Sequence, residues 1–301
     1  MSEDITIMTN EGLVLIDTGY YMFHRYFASL IWFRIVKKDE TVDVSELHNN
    51  SEFIDAFKGH IKADVLKFAM YPYFEKRFGP RLPLKNKRVR NRIMFCLDCK
   101  RSDIWRTKIY PQYKASRKHA TDMNMNIVGV FYDYLEELMK ELQETVSISK
   151  LSLDGLEADD VVYFTIKSLR PKYEQPILVI TNDNDFVQMV NLNVAVVNMK
   201  GVYLLERAID QDPKINRIVK ILMGDISDNI KAVPCIKSNR QVALSVAHMT
   251  EKDRHIWMKG HGTECLRAYK LNKKLISLSL IPKNLAQTFA KKYKFTVVKA
   301  I

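Results

Sequence analysis

Short apolar runs alternate with longer segments of helical periodicity over the first two thirds of the chain. We predict strands over residues 12–17, 93–98, 176–181 and 194–199, where aliphatic runs are bounded by polar or turn residues. Apolar residues at helical spacing predict helices over 51–78, 127–142 and about 156–169. Ser51 is the expected N-cap of the first of these helices, and Pro171 stops the third.

This alternation of strands and helices predicts an α/β fold with a central, mainly parallel sheet flanked by helices. Beyond about residue 205 the strand pattern stops, and helices are predicted over 215–224 and over most of 239–301. We therefore expect two parts, an α/β core over 1–204 and a helical C-terminal subdomain over 205–301.

An aspartate follows each of three predicted strands. These residues are Asp17, Asp98 and Asp183. The carboxyl ends of parallel strands share one edge of a sheet, which is where ligands bind. Three acids from distant parts of the sequence should therefore converge at that edge.

Further acids are spaced one helical turn apart. Glu157 and Asp160 are three residues apart with Asp159 between them, and Asp225 and Asp228 repeat the spacing. Any one of these acids could simply cap a helix or complement its dipole. Together, neighbouring carboxylates repel one another unless they are protonated or recruit cations, and oxygen-only ligand sets suit Mg²⁺ or Mn²⁺. Two such ions can activate a water and stabilise the leaving oxygen in phosphodiester cleavage.

The overall charge points in the same direction. The chain has 47 Lys and Arg against 35 Asp and Glu, a net charge of +12, which favours a polyanionic partner. The polar, acidic N-terminus lacks a signal-peptide pattern, no apolar run is long enough to span a membrane, and four cysteines suit a reducing compartment. A cytoplasmic protein that is neither secreted nor membrane-bound is expected.

A basic and aromatic segment over residues 99–118 follows Asp98. Its cations can neutralise phosphates, and its aromatic rings offer faces for base stacking. The candidate cations are Arg106, Lys114, Arg117 and Lys118, and the candidate aromatic residues are Trp105, Tyr110 and Tyr113. A cation beside a metal ligand could hold the reacting phosphate and offset charge in the transition state.

Five motifs, in order, resemble those of the 5′-nuclease (flap endonuclease) family, and the phage ribonuclease H members are the most similar in layout. The motifs are Phe95-Cys-Leu-Asp98 with Trp105-Arg106, then Tyr113-Lys-Ala-Ser-Arg117, Leu156-Glu-Ala-Asp-Asp160, Thr181-Asn-Asp-Asn-Asp185 and Gly224-Asp-Ile-Ser-Asp-Asn229. The resemblance covers about residues 12 to 290. It implies an enzyme that removes RNA primers and 5′ flaps during DNA replication.

The resemblance also implies roles for individual residues. One metal ion would be held by Asp17, Asp98, Glu157, Asp159 and Asp160, and a second by Asp183, Asp185, Asp225 and Asp228. The cations Arg106, Lys114 and Arg117 would stand at the base of a helical arch, over about 99–130, through which a free 5′ end passes. The implied partners are DNA and RNA–DNA hybrids in flap, nicked or forked duplexes. Single-strand-binding protein and a sliding clamp are further expected partners of a monomeric enzyme.

One segment departs from the family. Its glycine-rich hairpin, which holds duplex backbone and often a K⁺ ion, corresponds here to residues 230–240, which contain no glycine. The K⁺ site is therefore not carried over to this chain. We expect Lys231, Lys237 and Arg240 to hold duplex by their charge instead.

Two alternatives to this reading remain open. A PIN-type endoribonuclease would share the acidic sheet edge, although cleavage of single-stranded RNA would not need the basic arm and the long helical C-terminal part. A non-catalytic protein that binds branched DNA would keep the fold, although such a protein should have lost some of the carboxylates that this chain retains.

Overall fold

A five-stranded parallel sheet forms the centre of the chain in the computed structural model, which describes residues 2–38, 47–70, 91–116, 125–191 and 193–299. The strands are β1 (Glu3–Met8), β2 (Leu13–Asp17), β3 (Arg92–Cys96), β4 (Ile148–Leu151), β5 (Ile177–Ile180), β6 (Val194–Val197) and β7 (Tyr293–Val298). The central sheet has the order β4-β3-β2-β5-β6, with every neighbouring pair parallel. The predicted fold class and the four predicted strands, β2, β3, β5 and β6, are confirmed.

The helices cover the sheet and build the second half of the chain. They are α1 (Thr18–Lys37), α2 (Ser51–Ala69), α3 (Trp105–Ile109), α4 (Met125–Leu142), α5 (Ala158–Leu169), α6 (Pro213–Met223), α7 (Arg240–Ala247), α8 (Glu251–Gly260), α9 (Thr263–Ile276) and α10 (Lys283–Lys292). None of the described helices combines the length and apolar content needed to cross a bilayer.

Successive residues of the central strands point to opposite faces of the sheet. Val14 and Ile16 pack with α1, α2 and α4 on one face. Leu13 and Leu15 pack with α5, α10 and the β1–β7 pair on the other. A third apolar cluster lies among α6, α7, α8 and α9, and it includes Ile104 from the basic segment. The base of that segment is therefore fixed against the C-terminal helices.

Two helices near the N-terminus differ from the prediction. The long helix α1 was not predicted because its apolar residues are spread around its circumference, with Tyr26 buried and Phe27 exposed. Asn50, rather than Ser51, caps α2 by accepting a hydrogen bond from the backbone N–H of Phe53 at 3.0 Å. The predicted extension of this helix over 71–78 lies outside the described residues.

The helical prediction for the C-terminal end was wrong at Tyr293–Val298, which forms β7 and pairs in parallel with β1. The period-2 alternation of apolar Tyr293, Phe295 and Val297 with polar residues was the overlooked signal. Strand β4 was missed as well, because its short mixed sequence Ile-Ser-Lys-Leu carries little pattern. The division of the chain at residue 205 stays a prediction, although β7 and α10 pack with the α/β core.

Phe289 of α10 tests the attachment of the C-terminal end. It is 1% exposed, and its ring centroid lies 5.6 Å from that of Phe164 in α5. We expect Phe289→Ala to lower the free energy of unfolding by about 3–5 kcal/mol, since it leaves a cavity at this junction. Phe27→Ala, at a site 50% exposed, should change it by only about 0.5 kcal/mol. Equal midpoints for the two variants in urea titrations would show that α10 does not depend on this contact.

Candidate metal and nucleic-acid site

The strand order gathers the predicted acids at one sheet edge. Asp17 ends the central strand β2, while Asp98 and Asp183 follow the flanking strands β3 and β5. A cavity of about 250 Å³ opens there. Seven of the nine acids predicted to bind metal line it, together with Lys114: Asp17, Asp98, Glu157, Asp159, Asp183, Asp185 and Asp228. Asp160 is fully buried, and Asp225 lines an adjoining cavity.

Asp17 and Asp98 lie on either side of Gly19. A Cβ atom added at Gly19 would come within 3.3 Å of Asp98 Oδ2 and 3.7 Å of Asp17 Oδ1, so this glycine leaves room for both carboxylates. Asp17 accepts hydrogen bonds from Thr181 Oγ1 at 2.7 Å and from the Tyr20 N–H at 3.2 Å. Burial and the neighbouring Asp98 nevertheless raise the pKa of Asp17 to about 7. Burial likewise raises the pKa of Asp98. This pair therefore favours bound protons or cations.

Arg106 ties together the acids at the start of α5. Its guanidinium donates to Glu157 Oε2 at 2.7 Å, to both oxygens of Asp160 at 2.8 Å, and to Asp159 Oδ2 at 3.3 Å. A further bond at 2.8 Å reaches the Leu275 carbonyl in α9. Arg106 is 2% exposed, so the expectation that it neutralises phosphate is corrected. Its position is that of a buried counter-ion that orients the carboxylates.

Two of the predicted stacking residues are also buried. Trp105 donates from Nε1 to Asp160 Oδ2 at 2.8 Å, and the Tyr113 hydroxyl lies 3.0 Å from both Glu157 Oε2 and Asp228 Oδ2. Trp105 is enclosed, so its expected stacking role is corrected. Tyr113 is 5% exposed but lines the acidic cavity, so its expected role stays a prediction. Tyr110 is half-buried.

Among the described residues of the basic segment, Tyr113 and Lys114 line the cavity, and Lys114 is the cation of the two. Its Nζ forms an ion pair with Glu157 Oε1, and its backbone N–H donates to the Asp228 carbonyl at 2.9 Å. Its φ of +55° turns the chain sharply at this point. The candidates Arg117 and Lys118, and the part of the expected arch over 117–124, lie outside the described residues.

The second acidic group contains a cation that the prediction missed. Oxygens of Asp185, Asp225 and Asp228 lie within 4.8 Å of one another. Lys220 Nζ forms ion pairs with Asp185 and, at 2.8 Å, with Asp225. Burial opposes ionisation of Asp225, yet the attraction of Lys220 lowers its pKa to about 2. The ammonium group therefore stands where a metal ion would neutralise this cluster.

The predicted duplex-binding cations are exposed and lie beyond the second acidic group. Lys231, Lys237 and Arg240 are all at the surface. Without glycine, the turn places Lys237 at φ +48° and Ser238 at φ +55°. Gly224 is required upstream, because a Cβ there would come within 2.3 Å of the Ile230 carbonyl oxygen. That close approach shapes the loop carrying Asp225 and Asp228.

The donor set fits hard divalent cations. Its atoms are carboxylate oxygens, the preferred ligands of Mg²⁺ and Mn²⁺. The first group of mutually close oxygens contains Glu157, Asp159 and Asp160, but Arg106 takes up both oxygens of Asp160. Asp160 is therefore better described as a support for this group than as a direct ligand. Lys114 and Lys220 show that both groups already attract cationic atoms.

Comparison with known proteins finds relatives of this chain. Residues 82–214 match the model of the 5′-3′ exonuclease, N-terminal resolvase-like domain. The chain is 33% identical over 137 residues to a 5′-3′ exonuclease of Buchnera aphidicola, covering 44% of this chain and 45% of that protein. It is 23% identical over 222 residues to the ribonuclease H of Enterobacteria phage T4, covering 67% of this chain and 69% of that protein.

A solved structure shares the fold. The flap endonuclease of bacteriophage T5, in a complex with DNA and metal ions, superposes with a TM-score of 0.58 at 15% identity, over 93% of this chain and 97% of that one. The family-model match and the two relatives named above confirm the resemblance found in the motifs.

The raised pKa of Asp17 predicts a pH effect on stability without metal. The unfolded carboxyl loses its proton near pH 3.8, whereas the folded one keeps it until about pH 7. Folding thus binds a proton between these values, so the free energy of unfolding in EDTA should fall as the pH rises through this window. Asp17→Asn should reduce that fall and be the more stable protein at pH 8. Parallel pH curves from urea titrations of the two proteins would contradict this.

Removal of Lys220 should strengthen cation binding. In Lys220→Met the second acidic group loses its internal counter-ion, so we expect Mn²⁺ to bind there roughly tenfold more tightly. Isothermal titration with Mn²⁺ measures this directly. The matched control is Lys172→Met, an exposed lysine in the loop before β5, at the opposite end of the strand. Unchanged Mn²⁺ affinity in a folded Lys220→Met protein would show that Lys220 does not compete with metal.

Proposed function

We propose that this chain, which the match over residues 82–214 relates to the 5′-3′ exonucleases, is a Mg²⁺-dependent nuclease that hydrolyses phosphodiester bonds near 5′ ends. The supporting observation is the cavity at the carboxyl edge of the sheet, which seven carboxylates and Lys114 line together. Since the first of the relatives is matched over only 45% of its length, the activity is inferred for this chain from its own residues.

Two bound divalent ions would supply Lewis-acid activation of a water and neutralise charge on the phosphate. Asp17, Asp98, Glu157 and Asp159 would hold one ion, and Asp183, Asp185, Asp225 and Asp228 the other, with Mn²⁺ able to replace Mg²⁺. The wide spread of these residues along the sequence makes the site dependent on the complete fold.

The chain's own groups prepare the site. Thr181 and the Tyr20 N–H fix the two oxygens of Asp17, and the Ala158 N–H donates to Asp98 Oδ1 at 2.8 Å. Lys114 faces the cavity and would exchange Glu157 for a substrate phosphate, where its charge stabilises the transition state.

The substrates we propose are 5′ flaps and RNA–DNA hybrids, so that the cellular role is primer and flap removal during DNA replication in the cytoplasm. Of the named relatives, the T4 protein is a ribonuclease H and the T5 protein a flap endonuclease that was solved with DNA. We further propose that the enzyme acts as a monomer, with single-strand-binding protein and a sliding clamp as replication partners.

Cleavage of 5′-labelled flap, nicked RNA–DNA hybrid, blunt duplex and single-stranded substrates, with Mg²⁺ and with EDTA, tests this function. Short 5′ products from the flap and the hybrid, lost in EDTA, are expected. Tight flap binding without cleavage would instead support a non-catalytic binder. Cutting confined to single-stranded RNA would support an endoribonuclease.

Asp98→Ala and Asp183→Ala should each nearly abolish cleavage while the protein stays folded, because both residues face the cavity from opposite flanks of β2. Single-turnover rates with circular dichroism as the folding check measure this. Asp55→Ala, an exposed acid on α2, is the matched control and should cleave normally. Full turnover in either site variant would remove that residue from the mechanism.

Lys114→Ala should slow the single-turnover rate by about 10²–10³, since it removes a cation that is already positioned in the cavity. Lys114→Arg, which keeps the charge, should recover part of the rate. The exposed Lys140→Ala on α4 controls for general loss of charge. Wild-type rates for Lys114→Ala would mean that the Lys114–Glu157 pair is only structural.

A further inference from the structure

A second cavity adjoins the acidic one. It has a volume of about 480 Å³ and lies between α6, the segment before α6 and the loop after it. Asp185 lines both cavities, whereas Lys220 and Asp225 line only the second. A strand that leaves the acidic cavity past Asp185 therefore enters this one.

Three arginines line the second cavity from separate parts of the chain. Arg207 precedes α6, Arg217 lies within α6, and Arg240 begins α7. In the part of the chain that the structure describes, none of these guanidinium groups forms an ion pair or a hydrogen bond. This contrasts with Arg106, whose donors are all directed at protein acceptors.

The balance of charge in this cavity is positive. Its lining carries four cations, the three arginines and Lys220, against the two carboxylates of Asp185 and Asp225. Lys220 is already paired with both of these carboxylates, and Glu251, the carboxylate whose pKa Arg217 helps to lower, lies outside the lining. Guanidinium groups without protein partners match phosphate oxygens in both charge and fork geometry.

The remaining lining is mixed, with the polar side chains of Asn184, Gln188, Asn216 and Ser227 among apolar ones that suit a sugar or base face. Val187, Ala208, Ile209 and Met223 contribute to it, and Ile226 stands at the rim with 93% of its side chain exposed. Ile226 lies between Asp225 and Ser227, so it projects from the loop of the second acidic group. An exposed isoleucine beside cations is a suitable contact for a nucleotide and a poor one for water.

We propose that this second cavity is a subsite for the phosphate groups of the nucleic-acid strand adjoining the bond that is cut, held by Arg207, Arg217 and Arg240. The inference rests on the proposed function for the identity of the ligand. Arg240 was already expected to bind nucleic acid; Arg207 and Arg217 are new assignments, and they extend the contact surface from the C-terminal helices to the edge of the acidic cavity.

The salt dependence of binding tests the phosphate contacts. Fluorescence anisotropy with a labelled flap duplex in EDTA gives Kd at several salt concentrations for wild type, Arg207→Gln and Arg217→Gln. Each variant should weaken binding about threefold to tenfold and lower the slope of log Kd against log salt by about 0.9, the loss of one phosphate contact. Lys172→Gln, the exposed lysine before β5, should leave the slope unchanged. Wild-type slopes for folded Arg207→Gln and Arg217→Gln proteins would overturn the proposal.

Uncharged methylphosphonate linkages show which phosphate of the strand the arginines contact. Flap duplexes carrying a single methylphosphonate, moved one position at a time, should show a position beside the cleavage site where wild type loses affinity. At a position that Arg207 contacts, the same substitution should cost Arg207→Gln less affinity than it costs wild type, because this variant has already lost that contact. Arg217→Gln should behave in the same way at its own position. Equal losses in wild type and in both variants at every position would place the bound phosphates elsewhere.

The phosphate of a free nucleotide could bind to the same guanidinium groups. A third titration distinguishes a free nucleotide from a continuous strand as the ligand. dAMP, titrated by calorimetry into wild type, should bind weakly or not at all, since the site is proposed to hold a continuous strand. Tight dAMP binding that is lost in Arg207→Gln while flap binding is unchanged would make this a free-nucleotide site and overturn the strand proposal.

Failure of the proposed function is recognised separately. Wild type would then show no Mg²⁺-dependent cleavage, while the arginine variants would still lower the salt slope.

Discussion

Repulsion among carboxylates is the constraint around which this structure is organised. The parallel sheet directs the ends of β2, β3 and β5 to one edge, and the start of α5 and the loop after α6 bring further acids to the same cavity. Such a concentration of negative charge is stable only when protons or cations compensate it. Among the described residues, three cations, Arg106, Lys114 and Lys220, are each paired with acids of the cluster.

These three cations differ in how firmly they are held. Arg106 is buried, and it joins α3, α5 and α9 through bonds that substrate cannot reach. Lys114 and Lys220 are only partly buried and lie at the cavity or beside it, so an incoming metal ion or phosphate could replace their contacts. Structural support and chemistry are thereby divided between a fixed guanidinium and two exchangeable ammonium groups.

The sequence allowed the sheet edge and its acids to be predicted because local patterns carried that information, namely aliphatic runs that end in Asp17, Asp98 and Asp183. The burial of Arg106 and Trp105 and their hydrogen bonds to Asp160 could not be predicted, since Asp160 lies more than fifty residues away along the chain. The pairing of β7 with β1 was missed for a similar reason, as it joins the two ends of the chain. The role of Lys220 could not be predicted either, because its ion pair with Asp185 depends on how α6 packs.

We propose above all that the carboxylate edge of the sheet is a two-metal site. A crystal structure of the protein grown with Mn²⁺, with anomalous scattering recorded to locate the ions, tests it most directly. Two anomalous peaks are expected, one beside Asp98, Glu157 and Asp159 and one beside Asp185, Asp225 and Asp228, with the Lys220 side chain displaced from the second. Full density for both lysine–carboxylate pairs, with no anomalous peak at this edge in saturating Mn²⁺, would contradict it.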